Sequence, residues 1–334
     1  MQIREIDPAR RPADLAAILP AARAVLGEQL GDFPALPASL LQLWCLPDWA
    51  GRSTVFAAFD SPEATVADGL SITEWDTDTN PELLSTCVWV APHARRRGVG
   101  SALFERVLQL STELGRPRVV TNAAATVPVD TLLTARGGRL VETVTRSVLD
   151  LRAVDRAAFE LTARATPKNS RYQLVRWTDR CPEELLDAFC TAMDTMSDAP
   201  QGDMVYEHAL NDRARLRGRE EISIRSGVRR KVLAAVAPSG EIGGFTMFIS
   251  PPDGPESLDI WDTGVPRDHR GLGLGLRLKA AQTLWMLDEF PAARAVQTFN
   301  NSDNHHMLAV NRALGYRAAE QWSWFEFDNS ARRA

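Results

Sequence analysis

The sequence predicts an α+β protein built from two tandem domains, and three observations support this class. Strand-like and helix-like segments alternate through both halves of the 334-residue chain, an order typical of helices packed on a mixed sheet. A glycine-rich phrase occurs twice, as HARRRGVGSAL from His93 and as HRGLGLGLRLK from His269. The length suits two domains, each with its own core. We therefore expect each domain to hold a mixed, mostly antiparallel sheet flanked by helices.

The first half begins with the strand pattern QIREI, followed by an alanine- and leucine-rich helix with Pro12 near its start, where proline is tolerated. STVFAAF and LLSTCVWV predict strands, with a turn signal at Ser61–Pro62 after the first of them. The glycine phrase, the helix FERVLQLSTEL, the strand RVVTNAA and the strand TVTRSVLDL then follow in order.

The second half repeats this order. YQLVRW predicts a strand and CPEELLDAFCTAMDTM a helix, and KVLAAVAP and GGFTMFIS predict strands joined by a turn at Ser239–Gly240. The strand LDIWDTGV leads to the glycine phrase and the helix LRLKAAQTLWMLDEF, before AVQTFN, the short helix NHHMLAVNRAL and the closing strand QWSWFEF. The polar connector LTARATPKNS lacks hydrophobic periodicity. The expected domains are therefore residues 1–160 and 171–334.

The composition excludes several classes of function. A net charge of −5 leaves no electrostatic footprint for nucleic acid, and no apolar run approaches the roughly 20 residues of a membrane span. Charged residues interrupt the N-terminal stretch, so no signal-peptide core is expected. The cysteines are far apart and form no CxxC pair, which argues against a zinc site or a disulfide framework and fits a reducing compartment. They are Cys45, Cys87, Cys181 and Cys190. We expect a cytoplasmic protein without a metal, a nucleic-acid partner or a membrane partner.

The glycine phrases predict an anion site. A strand end, a glycine turn and a helix start together present free backbone N–H groups and the positive end of a helix dipole. The patterns GxxxxGK[ST] and GxGxxG both fail, the second because Leu276 takes the place of its third glycine. Both phrases share the pattern basic-x-x-Gly-x-Gly. Its members are Arg95, Gly98 and Gly100 in one copy and Arg270, Gly273 and Gly275 in the other.

These phrases, together with NNSDNHHMLAVNRALGYR in the second half, resemble the GNAT superfamily of N-acetyltransferases, whose signature R/Q-x-x-G-x-G/A follows the fourth strand. The two-domain layout is similar to the tandem type of mycothiol synthase and related actinobacterial-type acetyltransferases. The resemblance implies that backbone amides of the signature hold the pyrophosphate of acetyl-coenzyme A, the co-substrate. The implied coenzyme contacts are Val265, Arg270, Gly271, Leu272, Gly273, Leu274, Gly275, Leu276, Asn304 and Asn311 in the second half, and Val90, Arg95, Gly98 and Gly100 in the first.

One position departs from the family pattern. The tyrosine that the family usually has seven residues after Asn304 is Asn311 here. Because asparagine cannot act as a general acid, the proton for the departing thiolate would come from water, from a neighbour such as His305, or from no group.

The resemblance also implies a carboxylate base on the fourth strand, six residues before the valine that meets the acetyl group. Counting back from Val265 gives Asp259, whereas counting back from Val90 gives Leu84. Asp262 is the alternative base, and its counterpart in the first half is Cys87. Asp259 and Asp262 point to opposite faces of a regular strand, unless a bulge intervenes. We predict catalysis in the second half, with the first half either a non-catalytic coenzyme-binding domain or a structural one.

An acidic segment after the first helix of the second half predicts a cationic acceptor. It contains Asp194, Asp198, Asp203 and Glu207. The predicted reaction is direct acetyl transfer to a primary amine of a small molecule, without a covalent enzyme intermediate. Two alternatives stay open, a non-catalytic coenzyme A-binding sensor or partner protein and an acetyltransferase acting on proteins or peptides. The acceptor, the acyl chain and the oligomeric state are open at this stage.

Overall fold

The computed structural model describes residues 1–31, 33–47, 51–125 and 130–333. Its strands are β1 (Gln2–Ile6), β2 (Gly51–Phe59), β3 (Gly69–Asp76), β4 (Leu83–Val90), β5 (Arg118–Ala124), β6 (Arg139–Asp150), β7 (Gln173–Thr178), β8 (Arg229–Val236), β9 (Ile242–Ser250), β10 (Ser257–Gly264), β11 (Ala295–Asn301) and β12 (Arg317–Asp328). Its α-helices are α1 (Pro12–Leu30), α2 (Ala38–Trp44), α3 (Val99–Glu113), α4 (Asp130–Ala135), α5 (Arg156–Ala163), α6 (Leu186–Met193), α7 (Arg213–Ser226), α8 (Leu274–Glu289) and α9 (His305–Ala313). Among the described helices, none is long and apolar enough to cross a membrane.

Every strand and helix predicted from the sequence is present, but β3 and several helices were not predicted. The helix α7 is rich in arginine and has no apolar stripe, so no hydrophobic periodicity in the sequence marks it as a helix. It is instead held by the Asp212 side chain at its N-terminus and by Gly227, at φ +76°, at its C-terminus. The connector begins inside a helix, because α5 continues to Ala163. Asp155 caps this helix, and the buried Phe159 packs it on α8.

The chain folds into two compact units that do not follow the expected linear boundary. Unit 1 contains Met1–Val144, Gln201–Glu207 and Glu320–Ala334, and unit 2 contains Thr145–Pro200 and His208–Ala319. The division into residues 1–160 and 171–334 therefore differs from the units, because each unit is completed by a strand from the other half of the sequence.

In unit 1, the strands follow the order β1-β2-β3-β4-β5-β12. β4 and β5 are parallel. The pairs β1–β2, β2–β3, β3–β4 and β5–β12 are antiparallel. The core contains Leu103 and Val107 of α3 and Leu84 of β4, together with Phe325 and Phe327 of β12. The last strand of the chain thus supplies part of the core of unit 1.

In unit 2, the order is β7-β8-β9-β10-β11-β6. β10 and β11 are parallel, and the pairs of β7, β8, β9 and β10 are antiparallel. One face of the sheet packs on α8 through Leu258, Ile260 and Leu278. The other face packs on α6, where Phe189 and Met247 belong to one core cluster.

Replacing Phe327 tests the contribution of β12 to unit 1. Phe327 is 5% exposed, and its ring centroid lies 4.9 Å from that of Phe104 in α3. We expect Phe327→Ala to destabilise unit 1 by about 3–5 kcal/mol, the usual cost of truncating a buried aromatic residue. Hydrogen exchange should show faster exchange of α3 and β5, although the substitution is near the end of the chain.

The control is Phe299→Ala, which truncates an aromatic side chain that is 39% exposed and should change the stability much less. Loss of exchange protection in α8 and β10 rather than in α3 and β5 would contradict the assignment of β12 to unit 1.

Candidate active site

The turn between β10 and α8 has the backbone shape that the glycine phrase predicts. Gly271 has φ +77° and Gly273, the residue that precedes α8, has φ +75°. In unit 1, Arg96 takes φ +62° and Gly98 takes φ +84° at the corresponding positions. Left-handed backbone is cheap for glycine and uncommon for other residues. The two turns therefore follow the same path, and unit 1 accepts a strained arginine to do so.

The signature arginine ties each turn to the strand before it. Arg270 donates from Nε to the carbonyl of Val265 at 3.0 Å, and its Nη2 lies 2.9 Å from Oδ2 of Asp198. Arg95 does the same in unit 1, where Nε donates to the last residue of β4 at 3.2 Å and Nη2 lies 2.6 Å from Oε2 of Glu28. These contacts hold the turn in place and leave its backbone amides at the start of the helix.

The turn suits a phosphate group of a ligand. No side chain caps the first turn of α8 or of α3 in the described structure, so the N–H groups that a helix start leaves unpaired are available there. The helix dipole adds positive potential at the same point. Leu274 and Gly275 are buried in this first turn, whereas Gly271 and Gly273 are exposed. The geometry fits a phosphate ligand in both units.

β10 and β11 pair over only part of their lengths. Parallel pairing runs from Ser257 with Ala295 to Ile260 with Thr298, after which β10 continues to Gly264 without a further partner on β11. β4 and β5 of unit 1 also stop pairing after four positions. We call the opening between the ends of β10 and β11 that do not pair with each other the strand gap. It offers backbone groups to an extended ligand.

A bulge on β10 brings the two candidate bases to the same face of the sheet. Asp259 pairs with Ile249 of β9, but Asp262 pairs with Met247, because Trp261 is an extra residue in the register. Ile249 and Met247 share a face, so Asp259 and Asp262 share it too. The opposite orientation expected for a regular strand is therefore wrong, and the bulge is the reason.

Because of this bulge, the residue of unit 1 that corresponds to Asp259 is not Leu84. β4 pairs regularly with β3, so counting six residues from the end of the strand does not reach equivalent positions in the two units. Asp259 pairs with Gln297, and the equivalent pair in unit 1 is Ser85 with Val120, not a pair that involves Leu84. Ser85 has no carboxylate, so unit 2 still has a candidate base at a position where unit 1 has none.

The surroundings of Asp259 favour a base that works near neutral pH. The side chain is 9% exposed and is hydrogen-bonded to Gln297. Gln297 in turn accepts a hydrogen bond from Nε of Arg146 at 2.6 Å. Burial raises the pKa of Asp259 to about 6, although Gln297 and Arg146 act in the opposite direction. Arg146 was not predicted from the sequence, because an arginine among the threonines and serine of TVTRSVLDL resembles an ordinary exposed strand residue.

Asp262 has different surroundings. It is half-buried, and burial raises its pKa, against the opposing influence of Arg230, Arg219 and His208. Three cationic groups favour the ionised form of Asp262, whereas Arg146 alone is named at Asp259, and such groups make a carboxylate a weaker base. Asp259 is therefore the stronger candidate of the two.

Asn304 and Asn311 have separate roles in the structure. Asn304 caps α9 by accepting a hydrogen bond from the N–H of Met307 at 3.1 Å. Asn311 is 1% exposed and donates from Nδ2 to Oδ1 of Asn300, which lies on β11 beyond its pairing with β10, at 2.8 Å. Its own Oδ1 is buried and has no hydrogen-bond partner among the described residues. That oxygen is suited to accept a hydrogen bond from a ligand.

The members of the acidic segment have different surroundings. Asp198 pairs with Arg267 and Arg270, and Asp194 accepts hydrogen bonds from Asn211. The remaining members, Asp203 and Glu207, belong to unit 1. Because Asp194 and Asp198 have these partners, they offer less negative charge to the cationic amine that the sequence predicts.

The segment after α6 nevertheless lies against the end of β10. A Cβ atom on Gly264 would lie 2.6 Å from Cγ2 of Thr195. A side chain at position 264 would therefore clash with this segment, which covers the end of β10 where the expectation placed the acceptor.

Solved structures similar to the chain show which fold this is. A tandem GNAT protein from the clavulanic acid biosynthesis pathway superposes with a TM-score of 0.79 at 22% identity, over 98% of this chain and 99% of that protein. A GCN5-related N-acetyltransferase from Sphaerobacter thermophilus gives 0.63 at 19% identity, over 98% and 95%. An N-myristoyltransferase from Saccharomyces cerevisiae with bound myristoyl-CoA gives 0.61 at 10% identity, over 98% and 80%. No protein-family model matches the sequence, and no curated protein matches it. The chain has the tandem GNAT fold, which confirms the predicted α+β class.

The raised pKa of Asp259 predicts a pH-dependent difference in stability between the wild type and Asp259→Asn. Between about pH 4 and pH 6 the folded state keeps a proton that the unfolded state has lost, so the wild type loses stability as the pH rises through that range. We expect its free energy of unfolding, relative to the variant, to fall by up to about 3 kcal/mol, measured by urea unfolding across this range.

Asp150→Asn is the control with the opposite sign, because its partner Arg152 lowers the pKa of Asp150. The wild type should gain stability relative to Asp150→Asn as the pH rises. If the curves for the wild type and Asp259→Asn run parallel, Asp259 does not titrate with a raised pKa.

Proposed function

We propose that unit 2 is an acetyl-coenzyme A-dependent N-acetyltransferase that transfers the acetyl group directly to a primary amine of a small molecule. The observation that carries the proposal is the placement of Asp259. It is a buried carboxylate with a raised pKa, it lies beside the strand gap, and Ser85 occupies its place in unit 1.

Coenzyme A would bind along the turn and the strand gap. The amides at the start of α8 hold the pyrophosphate, and the pantetheine arm enters the strand gap past Asn311. The N–H of Val265, which follows β10, polarises the thioester carbonyl. Every group in this scheme except Asn311 is a backbone group, so the coenzyme site depends on the path of the chain more than on particular side chains.

Asp259 would take the proton from the acceptor ammonium before the amine attacks. A base with a pKa of about 6 is mostly ionised at neutral pH and is still basic enough to accept a proton. Gln297, held by Arg146, fixes the carboxylate.

The transfer would be direct, because the thiols of unit 2 are unsuited to attack. Burial raises the pKa of Cys190 to about 11 and that of Cys181 to about 12. Both thiols therefore stay protonated near neutral pH, and a thiol is a poor nucleophile in that form.

The acceptor would be a small molecule whose positive charge is the ammonium group itself. The segment after α6 covers the end of β10, which favours a compact acceptor over a folded protein. Unit 1 has the glycine turn but neither carboxylate, since Ser85 and Cys87 replace Asp259 and Asp262. We propose that unit 1 does not catalyse acetyl transfer.

Asp259→Asn tests the base. We expect turnover of acetyl-coenzyme A with an accepted amine to fall by about 10²-fold or more, the usual contribution of a general base. In the wild type, kcat/KM should rise as the pH passes about 6, because the ionised carboxylate is the active form, and this limb should be absent in the variant. The measurement is release of free coenzyme A across a panel of small amines and peptides.

Asp262→Asn is the control for this experiment, because it removes the neighbouring carboxylate from the same face of the sheet. Asp262→Asn should retain more activity than Asp259→Asn, and its kcat/KM should still rise as the pH passes about 6. An Asp259→Asn protein with normal turnover and an unchanged pH profile would rule out the base, and activity on peptides alone would rule out the small-molecule acceptor.

Calorimetry with acetyl-coenzyme A tests the two glycine turns. Gly273→Glu and Gly98→Glu each place a carboxylate at a phosphate site and a side chain at left-handed backbone. We expect Gly273→Glu to abolish binding to unit 2. Loss of a second site with Gly98→Glu would show that unit 1 also binds the coenzyme, and an unchanged isotherm would make it structural.

Gly240→Glu is the matched control. Gly240 has φ +89° in the turn between β8 and β9, with nothing within 4 Å of an added Cβ atom. It should lose similar stability and keep full binding. A wild type that binds no acetyl-coenzyme A would refute the proposed function.

A further inference from the structure

The helices α8 and α3 differ on the side that covers the sheet. Gly273 and Gly98 precede them at equivalent positions, which aligns the two helices residue by residue. Three buried polar residues of α8 correspond to three buried apolar residues of α3. The pairs are Lys279 with Phe104, Gln282 with Val107, and Thr283 with Leu108. Gln282 and Thr283 have hydrogen-bond partners, because Gln282 accepts from Oγ1 of Thr246 and Thr283 donates to the carbonyl of Lys279, both at 2.9 Å. A buried charge costs stability unless it is paired, so Lys279 is the member of this set whose burial the fold does not explain.

Lys279 is the costliest of these residues. It is 1% exposed, and among the described residues no carboxylate forms an ion pair with it. Its Nζ lies 4.9 Å from the centre of the Tyr316 ring. Burial lowers its pKa to about 7. Tyr316 is the titratable side chain seen packed against it, and burial raises the pKa of that phenol, which therefore stays neutral.

The contacts of α8 place Lys279 beside the strand gap. Gly275, one turn earlier on the same side of the helix, faces Val265, since a Cβ atom on it would lie 3.8 Å from Cγ2 of Val265. On the other side, Tyr316 donates its N–H to the carbonyl of Asn311 at 3.0 Å. Asn311 is bonded to Asn300 of β11. Lys279 therefore lies between the residue that follows β10 and the segment bonded to β11.

We propose that Lys279 gives a proton to the sulfur of coenzyme A as the thioester breaks. The inference rests on the proposed function. When the tetrahedral adduct collapses, the C–S bond breaks and its electron pair goes to sulfur, which takes a proton from Nζ. The acceptor nitrogen loses two protons on becoming an amide. One of these protons restores the proton that Lys279 gave to sulfur. The other goes to Asp259, which passes it to water.

The chemistry of the site needs such a donor. Asn311 stands where the resemblance places a tyrosine, and an amide cannot supply a proton to a thiolate. A free thiol has a pKa of about 8.5, close enough to that of Lys279 for easy transfer in either direction. A thiolate that develops beside the amine also favours the ammonium form. In unit 1, Phe104 occupies the position equivalent to Lys279, and Ser85 occupies the position equivalent to Asp259.

The experiment measures the pKa of the coenzyme A thiol bound to the full-length protein, by the ultraviolet absorbance of the thiolate during a pH titration. It requires no acceptor. An ammonium beside the sulfur stabilises the thiolate, so we expect the bound thiol of the wild type to titrate at least one pH unit below free coenzyme A. Lys279→Met should abolish this shift and lower turnover at least tenfold, with an unchanged KM for acetyl-coenzyme A.

Lys231→Met is the matched control. Lys231 is another buried lysine of unit 2, paired with Glu289, and its removal should leave the thiol pKa as in the wild type. Removing the unpaired Lys279 charge should keep or raise Tm, and Lys279→Gln provides a second variant if Lys279→Met fails to fold.

Two outcomes would overturn the role of Lys279. One is a wild-type bound thiol that titrates like free coenzyme A, whatever the variants do, and the other is a shift that persists in Lys279→Met or Lys279→Gln. A wild type that binds no coenzyme A would instead refute the proposed function, so the two failures are distinguishable.

Discussion

The early end of pairing between β10 and β11 is the constraint on which the site in unit 2 depends. Two parallel strands that stay paired over their full length leave no room between them, whereas these separate after Ile260 and Thr298. Beyond that point the two strands no longer give backbone hydrogen bonds to each other, and buried backbone groups need partners. In the proposed function, the amide groups of the pantetheine arm would be such partners. The turn, Val265, Asp259 and Lys279 are all positioned with respect to this opening.

The two units have similar folds but differ in the residues at the candidate site. Unit 1 keeps the turn, the tethered arginine and the short parallel pairing, but it has Ser85 and Phe104 where unit 2 has Asp259 and Lys279. Unit 2 therefore buries two ionisable groups whose pKa values are shifted toward neutrality from opposite sides. Such burial destabilises a protein, and pairs of titratable groups with shifted pKa values are typical of functional sites.

Much of the fold and part of the site followed from local patterns. The strands β4 and β5 and the glycine turns were predicted from alternation and glycine spacing, which are properties of neighbouring residues. The bulge at Trp261 was not, because nothing in LDIWDTGV marks the extra residue, and the count that paired Asp259 with Leu84 failed for that reason. Helix α7 was missed because its stability comes from its end caps and its surroundings rather than from an apolar stripe.

The sequence by itself determined the class of fold, the duplication, the glycine turn and the identity of Asp259 as a candidate base, because each depends on residues close together in the chain. Only the tertiary structure decided that Asp259 and Asp262 share a face, that Gln297 and Arg146 line the carboxylate of Asp259, and that Lys279 is buried against Tyr316. It also decided that β12 completes unit 1. These depend on strand register and on burial, and both are set by contacts between residues far apart in the sequence.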